Sequence, residues 1–185
     1  MKKNLTKLDW LQAGFRTLTQ SGPSALKAEP LAKSLKVSKG SFYWHFKDIG
    51  DFKAAMISHW QQLATADVIN QIETGTSEPE QKLRALIAAS TRLPRGDYGG
   101  PSSESAIRDW ARYEPPIART VTEIDQKRLA FTSSLFVEYG QKKTQARQSA
   151  RLLYSALIGL DTLQPSGLSK PSDDLATLLE KLLKG

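Results

Sequence analysis

The chain has 185 residues and no cysteine. That absence excludes disulfides, thiol nucleophiles and any zinc site built on thiolates. Histidine occurs twice, and neither copy has a neighbour at metal-binding spacing. No metal and no cofactor are expected. No stretch approaches 18 uninterrupted apolar residues, so no membrane span is expected. The opening MKKNLTKLDW carries lysines but no apolar run behind them, which does not read as a secretory signal. These features fit a reducing cytoplasm. Nucleotide and nucleophile motifs are missing as well. No GxxxxGK[ST] loop occurs, and Lys39-Gly40-Ser41 has the order wrong. Ser24-Ala-Leu-Lys27 matches a Ser-x-x-Lys pattern too short to exceed chance, and Gly99-Gly100 follows no strand. An enzyme is not expected.

What is present is charge, and its placement matters more than its size. The formal net charge is +7. Residues 1–60 hold ten Lys/Arg against four Asp/Glu, and the remainder holds sixteen against fifteen. A basic first third joined to a neutral remainder suits a polyanion-binding head on a body with another task. The same asymmetry also suits a well-solvated surface.

Apolar residues recur at helical spacing throughout, so the fold class is all-α, with about nine helices. Leu8, Leu11, Phe15 and Leu18 line the first helix, which Ser21-Gly-Pro23 stops. Leu31 and Leu35 mark a short second helix. Ser38 is expected to cap a third over residues 39–47, and Asp48 a fourth running to about Glu73. Ser77-Glu-Pro-Glu80 reads as a capping box. The glycine- and proline-rich run at residues 94–101 reads as a mobile loop that gates a pocket or only connects two helices. Further helices follow from about Ser103, from Pro115-Pro116, over 144–164, and after Ser172.

The stretch Ser38-Lys-Gly-Ser-Phe-Tyr-Trp-His-Phe-Lys-Asp48 crowds four aromatic rings and a histidine into eleven residues. At 100° per residue, Phe42 and Phe46 fall on one side and close over Leu31, Leu35 and Val37. Gly40, Ser41, Trp44 and His45 fall opposite, with Tyr43 and Lys47 on the flank. With the preceding helix and the tight turn Lys36-Val37-Ser38, this is a helix-turn-helix over residues 28–47. Such a motif lays its second helix in the DNA major groove. Gly40 admits close backbone approach, Ser41 offers a small polar group, and Lys39 sits where phosphate is met. Tyr43, Trp44 and His45 reach backbone and base edges. Lys27 and Lys47 add counterion release.

These residues resemble the DNA-binding domain of the tetracycline-repressor (TetR) family of bacterial transcription regulators. Val37-Ser-Lys-Gly-Ser-Phe-Tyr-Trp-His-Phe-Lys47 matches that family's recognition-helix signature nearly position for position, and the lead-in Leu31-Ala32…Leu35-Lys36-Val37 matches too. The resemblance covers residues 5–60. It implies a fourth helix linking head to body, a body that binds a small-molecule effector, and a homodimer paired through the last two helices. Two positions depart from it. Lys27-Ala28-Glu29-Pro30 lacks the usual Ser/Thr cap, and Ile49-Gly50 lacks the usual cation opening the fourth helix, leaving Lys47 or Lys53 to substitute.

The expected organisation is a head over residues 1–50 and a regulatory and dimerisation domain over 51–185. The expected function is a sequence-specific transcriptional repressor, bound as a dimer to a double-stranded, pseudo-palindromic operator and released by an unidentified ligand. The alternatives are a DNA-binding regulator without an effector and a helical protein–protein adaptor. Candidate pocket residues are His59, Trp60, Leu63, Trp110, Tyr113, Phe131 and Leu135, although rings at helical spacing also serve as plain core and His59 also reads as a satisfied interior histidine. Candidate dimer residues are Ala150, Leu153, Leu157, Leu160, Leu175, Leu178, Leu179 and Leu182, which the chain's own core equally explains.

Overall fold

In a computed structural model, which describes residues 5–92 and 96–184, the chain is helical with no strand among the described residues. The α-helices are α1 (Lys7–Ser21), α2 (Ala28–Ser34), α3 (Lys39–Tyr43), α4 (Ile49–Gln61), α5 (Asp67–Gly75), α6 (Pro79–Ser90), α7 (Ser103–Ala111), α8 (Pro115–Glu138), α9 (Lys143–Leu163) and α10 (Pro171–Lys184). A π-helical segment, Gln62–Ala66, stands between α4 and α5. Taken as one run, α4 to α5 makes nine helices. The chain forms two compact units, Met1–Trp60 with Leu93–Thr120, and Gln61–Arg92 with Val121–Gly185.

The first unit is organised around aromatic rings. Phe42 is fully buried, with its centroid 5.4 Å from Trp10, 5.2 Å from Phe46 and 5.5 Å from Phe52. Each such ring contributes roughly 1.5–3 kcal/mol by leaving water. α1 and α4 approach closely at Gly14, where a Cβ would stand 2.6 Å from the Met56 sulfur and from the tip of Phe52. α1 begins with a capping box: the Asp9 N–H donates to the Thr6 hydroxyl and the Thr6 N–H to the Asp9 carboxylate.

Between α2 and α3 the chain reverses through Lys36, whose φ of +58° lies in the left-handed region. The Val37 N–H donates to the Ala32 carbonyl and the Lys36 N–H to the Lys33 carbonyl, the paired closure of a Schellman turn. A side chain at this position costs about 1 kcal/mol relative to glycine. α3 is shorter than periodicity suggests. It ends at Tyr43, and Trp44 and His45 continue as a turn. Ser38 occupies the N-cap backbone position but makes no side-chain cap, contrary to expectation. Asp48 does cap α4: its carboxylate accepts from the Asp51 N–H at 2.9 Å, and Asp51 accepts from the Lys47 N–H at 3.0 Å. The box expected at Ser77 is absent. Glu78 is the N-cap residue of α6 without a side-chain bond, and Pro79 opens the helix.

Pro94 and Arg95, which open the glycine-rich loop, lie outside the described residues. The rest of that loop is anchored on α1. Tyr98 packs on Phe15 at 5.7 Å and its hydroxyl lies 3.2 Å from His59 Nε2. Arg16 donates to the Asp97 carbonyl, and Gly99, at φ +88°, lies so close to Thr19 that a Cβ there would stand 2.5 Å from it. Gly99 admits this backbone–helix contact, which ties the described part of the loop to α1.

The second unit has its own core of Ile72, Leu83, Ile87, Leu135, Phe136, Ala146, Ala150, Leu153, Leu175 and Leu179. Small Ala146 and Ala150 let α9 pack closely within this core.

Candidate nucleic-acid interface

The α3 region separates its rings as the 100° arithmetic requires. Phe42 and Phe46 are buried, whereas Trp44 is 88% exposed and Tyr43 is 53% exposed. Tyr43 rests edge-on against Phe42 at 5.3 Å, which aims its hydroxyl without sealing it inside. Lys27, Ser38, Lys39, Gly40 and Lys47 are exposed and Ser41 is half-buried, all beside or within the motif. His45 differs from expectation. It is half-buried, with its ring 6.3 Å from both Trp10 and Phe46, so it partly closes the core. A further contact was not legible in the sequence: the Lys7 ammonium lies 5.2 Å over the Phe46 ring and covers it.

Lys53, offered beside Lys47 as a substitute for the missing phosphate anchor, is engaged within the chain. Its ammonium is paired with the Glu114 carboxylate and lies 5.8 Å from the centre of the Trp110 ring. Burial raises the Glu114 pKa, but the Lys53 ammonium and the approaching Trp110 indole outweigh it and hold the carboxyl below its ordinary value. The indole N–H itself closes no hydrogen bond of normal geometry. A depressed carboxyl contributes stability that is present above its unfolded pKa and fades as pH falls through the folded one. Glu114→Gln is therefore expected to cost about 1 kcal/mol at neutral pH, since the pair is only partly buried. The gap to the unmodified chain should close in acid. Urea midpoints across pH would check this, and a gap constant with pH would remove Glu114 as its source.

The residues expected to line an effector pocket are divided between the two units. In the first unit, Trp110 is fully buried and Trp60 nearly so as packing residues, His59 is engaged with Tyr98, and Tyr113 points to solvent. In the second unit, Leu135 is sealed in the core, Phe131 packs against it, and Leu63 is exposed. Within the second unit, a cleft of about 290 Å³ is lined by Gln61, Thr65, Ala66, Ile69, Asn70, Glu73 and Lys127. No member of this lining was anticipated.

A polar cluster near that cleft was also missed. Arg128 donates through Nε to the Thr65 hydroxyl at 2.9 Å, through Nη2 to the Ala64 carbonyl at 3.1 Å, and through Nη1 to the Tyr154 hydroxyl at 3.2 Å. Tyr154 donates in turn to Asp125 at 2.6 Å. The arginine thus holds the π-helical segment from the side. Its five members come from three sequence regions, 64–65, 125–128 and 154, so no local pattern announces them.

The candidate dimer residues also serve the chain's own core. Ala150, Leu153, Leu175 and Leu179 are buried in the chain's own core, and Leu157, Leu160, Leu178 and Leu182 pack against it. The apolar surface left on α9 is a different stripe, Leu152, Gly159 and Leu163, with Ser155 beside it.

Among the described residues, no helix is long and apolar enough to cross a membrane, and no group of three or more His, Asp or Glu is placed to hold a metal. Residues 11–56 match the model for bacterial regulatory proteins of the tetR family. The transcriptional regulator AcuR of Cereibacter sphaeroides is 30% identical over 74 residues, 40% of this chain and 34% of AcuR. The match therefore spans about a third of that relative's length. A transcriptional regulator from Rhodococcus sp. Rha1 superposes with a TM-score of 0.80 at 19% identity, covering 98% of this chain and 97% of that one. A TetR-family regulator from Streptomyces coelicolor superposes at 0.77 with 17% identity over 97% and 89%. At such identities these two structures speak to fold.

Proposed function

We propose, from the premise that the chain belongs to the tetR family of bacterial regulatory proteins and is a DNA-binding transcriptional regulator, that it is an operator-bound repressor released by a small molecule. The observation that carries this reading is the exposed Trp44 and Tyr43 standing over buried Phe42 and Phe46. Large rings are kept in water at a cost unless a partner covers them. In this reading residues 1–50 are the reading head and 51–185 the regulatory part. Gly40, Ser41, Tyr43, Trp44 and the exposed edge of His45 face the major groove, while Lys27, Ser38, Lys39 and Lys47 meet phosphates.

Two copies pair through the exposed stripe of α9. Leu152, Gly159 and Leu163 are spaced by seven and four residues, the repeat of a helix seam. Nothing within the protomer lies within 4 Å of a Cβ built on Gly159, so a partner helix has room to approach. A two-fold pair implies a pseudo-palindromic operator. The effector sits in the cleft beside Thr65, where Ala66 and Ile69 give an apolar wall and Gln61, Asn70, Glu73 and Lys127 give polar ends. A thousandfold preference for the non-binding conformation supplies about 4 kcal/mol, sufficient for release.

Gel-shift titration on the DNA upstream of the chain's own gene, at two salt concentrations, tests this reading. A sequence-selective shift is expected, and a shift equal on scrambled DNA would sink it. Leu152→Glu places a charge on the seam. It is expected to convert the dimer to monomers by light scattering and to weaken operator binding severalfold or more; a dimer that persists would move the interface elsewhere.

A further inference from the structure

We propose that the corner between α7 and α8 is a second DNA-contact element, in which Arg112 and Tyr113 hold phosphates flanking the half-site read by α3. The inference rests on the DNA-binding reading above and concerns where that binding is supplemented. Its first ground is a deficit at the start of α4. Ile49-Gly50 offers no cation there, Asp48 and Asp51 place two carboxylates at the cap, and the ammonium of Lys53 is already engaged by Glu114. With Lys53 engaged, Lys47 stands against two acids at this helix start, so firm phosphate binding there needs further positive charge from elsewhere.

The second ground is position. Lys53 stands five residues beyond Asp48, roughly 7.5 Å along the helix at 1.5 Å per residue. Its bond to Glu114 therefore brings the α7–α8 corner alongside the first turns of α4. The corner belongs to the same compact unit as α1–α4.

The third ground is chemistry. Arg112 and Tyr113 immediately precede Glu114. Tyr113 is 69% exposed and Arg112 is exposed, and neither side chain has a hydrogen bond or ion pair among the described residues. Asp109, one turn back and also exposed, makes no pair with Arg112. Arg119 is exposed on the first turns of α8 and adds to the positive field. A guanidinium grips a phosphate through two parallel N–H bonds, and a tyrosine hydroxyl donates one more. Occupancy by DNA is favoured over a protein partner because the charge is complementary and the corner adjoins the α4 start.

The test is anisotropy titration of operator duplexes over a range of salt, comparing the unmodified chain with Arg112→Gln and Tyr113→Phe. Arg112→Gln is expected to lower the slope of log affinity against log salt by about 0.9, the value of one phosphate contact. Tyr113→Phe is expected to weaken binding with the slope unchanged. Both differences should vanish on a duplex trimmed to the half-sites alone, and neither variant should alter preference between operator and scrambled DNA of full length. Melting temperatures equal to the unmodified chain exclude a folding defect, since both residues are solvent-facing. An unchanged slope and affinity in Arg112→Gln overturns the proposal, as does an effect that persists on the trimmed duplex. If the unmodified chain binds no DNA selectively, the underlying reading fails first; selective binding with unaltered variants removes only the corner.

Discussion

Replacing both exposed rings, Tyr43→Ala with Trp44→Ala, is expected to abolish operator binding at physiological salt while the fold persists. Each direct contact of this kind is worth about 1–3 kcal/mol, so losing two costs about 2–6 kcal/mol. That is at least a thirtyfold loss in affinity. The fold should tolerate the change because Trp44 contributes almost nothing to the interior and Tyr43 covers only one edge of Phe42. Surface substitutions of this sort usually stay within about 0.5 kcal/mol, although loss of the Tyr43 edge contact adds to that. Phe42→Ala is the contrasting case, with an expected cost of about 3–5 kcal/mol from the cavity it leaves. Gel shift and thermal melting on the same samples separate the two. Operator binding retained by the double variant would mean that the rings point outward for some other partner.

Arg128→Met is expected to destabilise the second unit by about 3 kcal/mol. The substitution keeps much of the volume but leaves the Ala64 carbonyl, the Thr65 hydroxyl and the Tyr154 hydroxyl each without one partner. Thr65 is buried, and a buried polar group left unmatched costs about 1–3 kcal/mol, whereas the Tyr154 hydroxyl keeps its bond to Asp125. For a chain of this size the melting temperature should fall by roughly 6–12 °C. Arg128→Lys should recover little, because one ammonium cannot reproduce a planar fork reaching three acceptors. Tyr154→Phe combined with Arg128→Met should cost less than the sum of the single changes, since both act through one network. Denaturant unfolding measures all three variants. A change below 0.5 kcal/mol in Arg128→Met would show that the cluster is solvated and does not hold the π-helical segment.

The two predictions mark the difference between what is local and what is not. The orientation of α3 follows from four-residue spacing: Phe42 and Phe46 share a side of the helix, so Trp44 must face away. The capping role of Asp48, the proline start of α8 and the stop near Gly140 rest on the same kind of rule, in which a residue acts on backbone groups within one turn of itself. His45 shows the limit of that rule. Its angle on the helix says outward, but Trp10 of α1 lies within reach and draws its ring partly inside.

The candidate dimer leucines show a related limit. Periodicity identifies an apolar stripe without saying what covers it, and α9 carries two. The stripe through Ala150 and Leu153 packs within the protomer, while the one through Leu152 and Gly159 is left outside.

By itself the sequence determined the all-helical class, the helix-turn-helix and which rings of the reading helix face out, because these depend on spacing along one short segment. Only the tertiary structure decided that Lys53 is consumed by Glu114, that Arg128 braces the π-helical segment, and that Tyr98 anchors its loop on α1. Those pairs are separated by 61, 63 and 83 residues respectively, counting Arg128 to Thr65 and Tyr98 to Phe15. No local propensity encodes a partner at such distance, since it is chosen by whichever surfaces the packing of helices brings together.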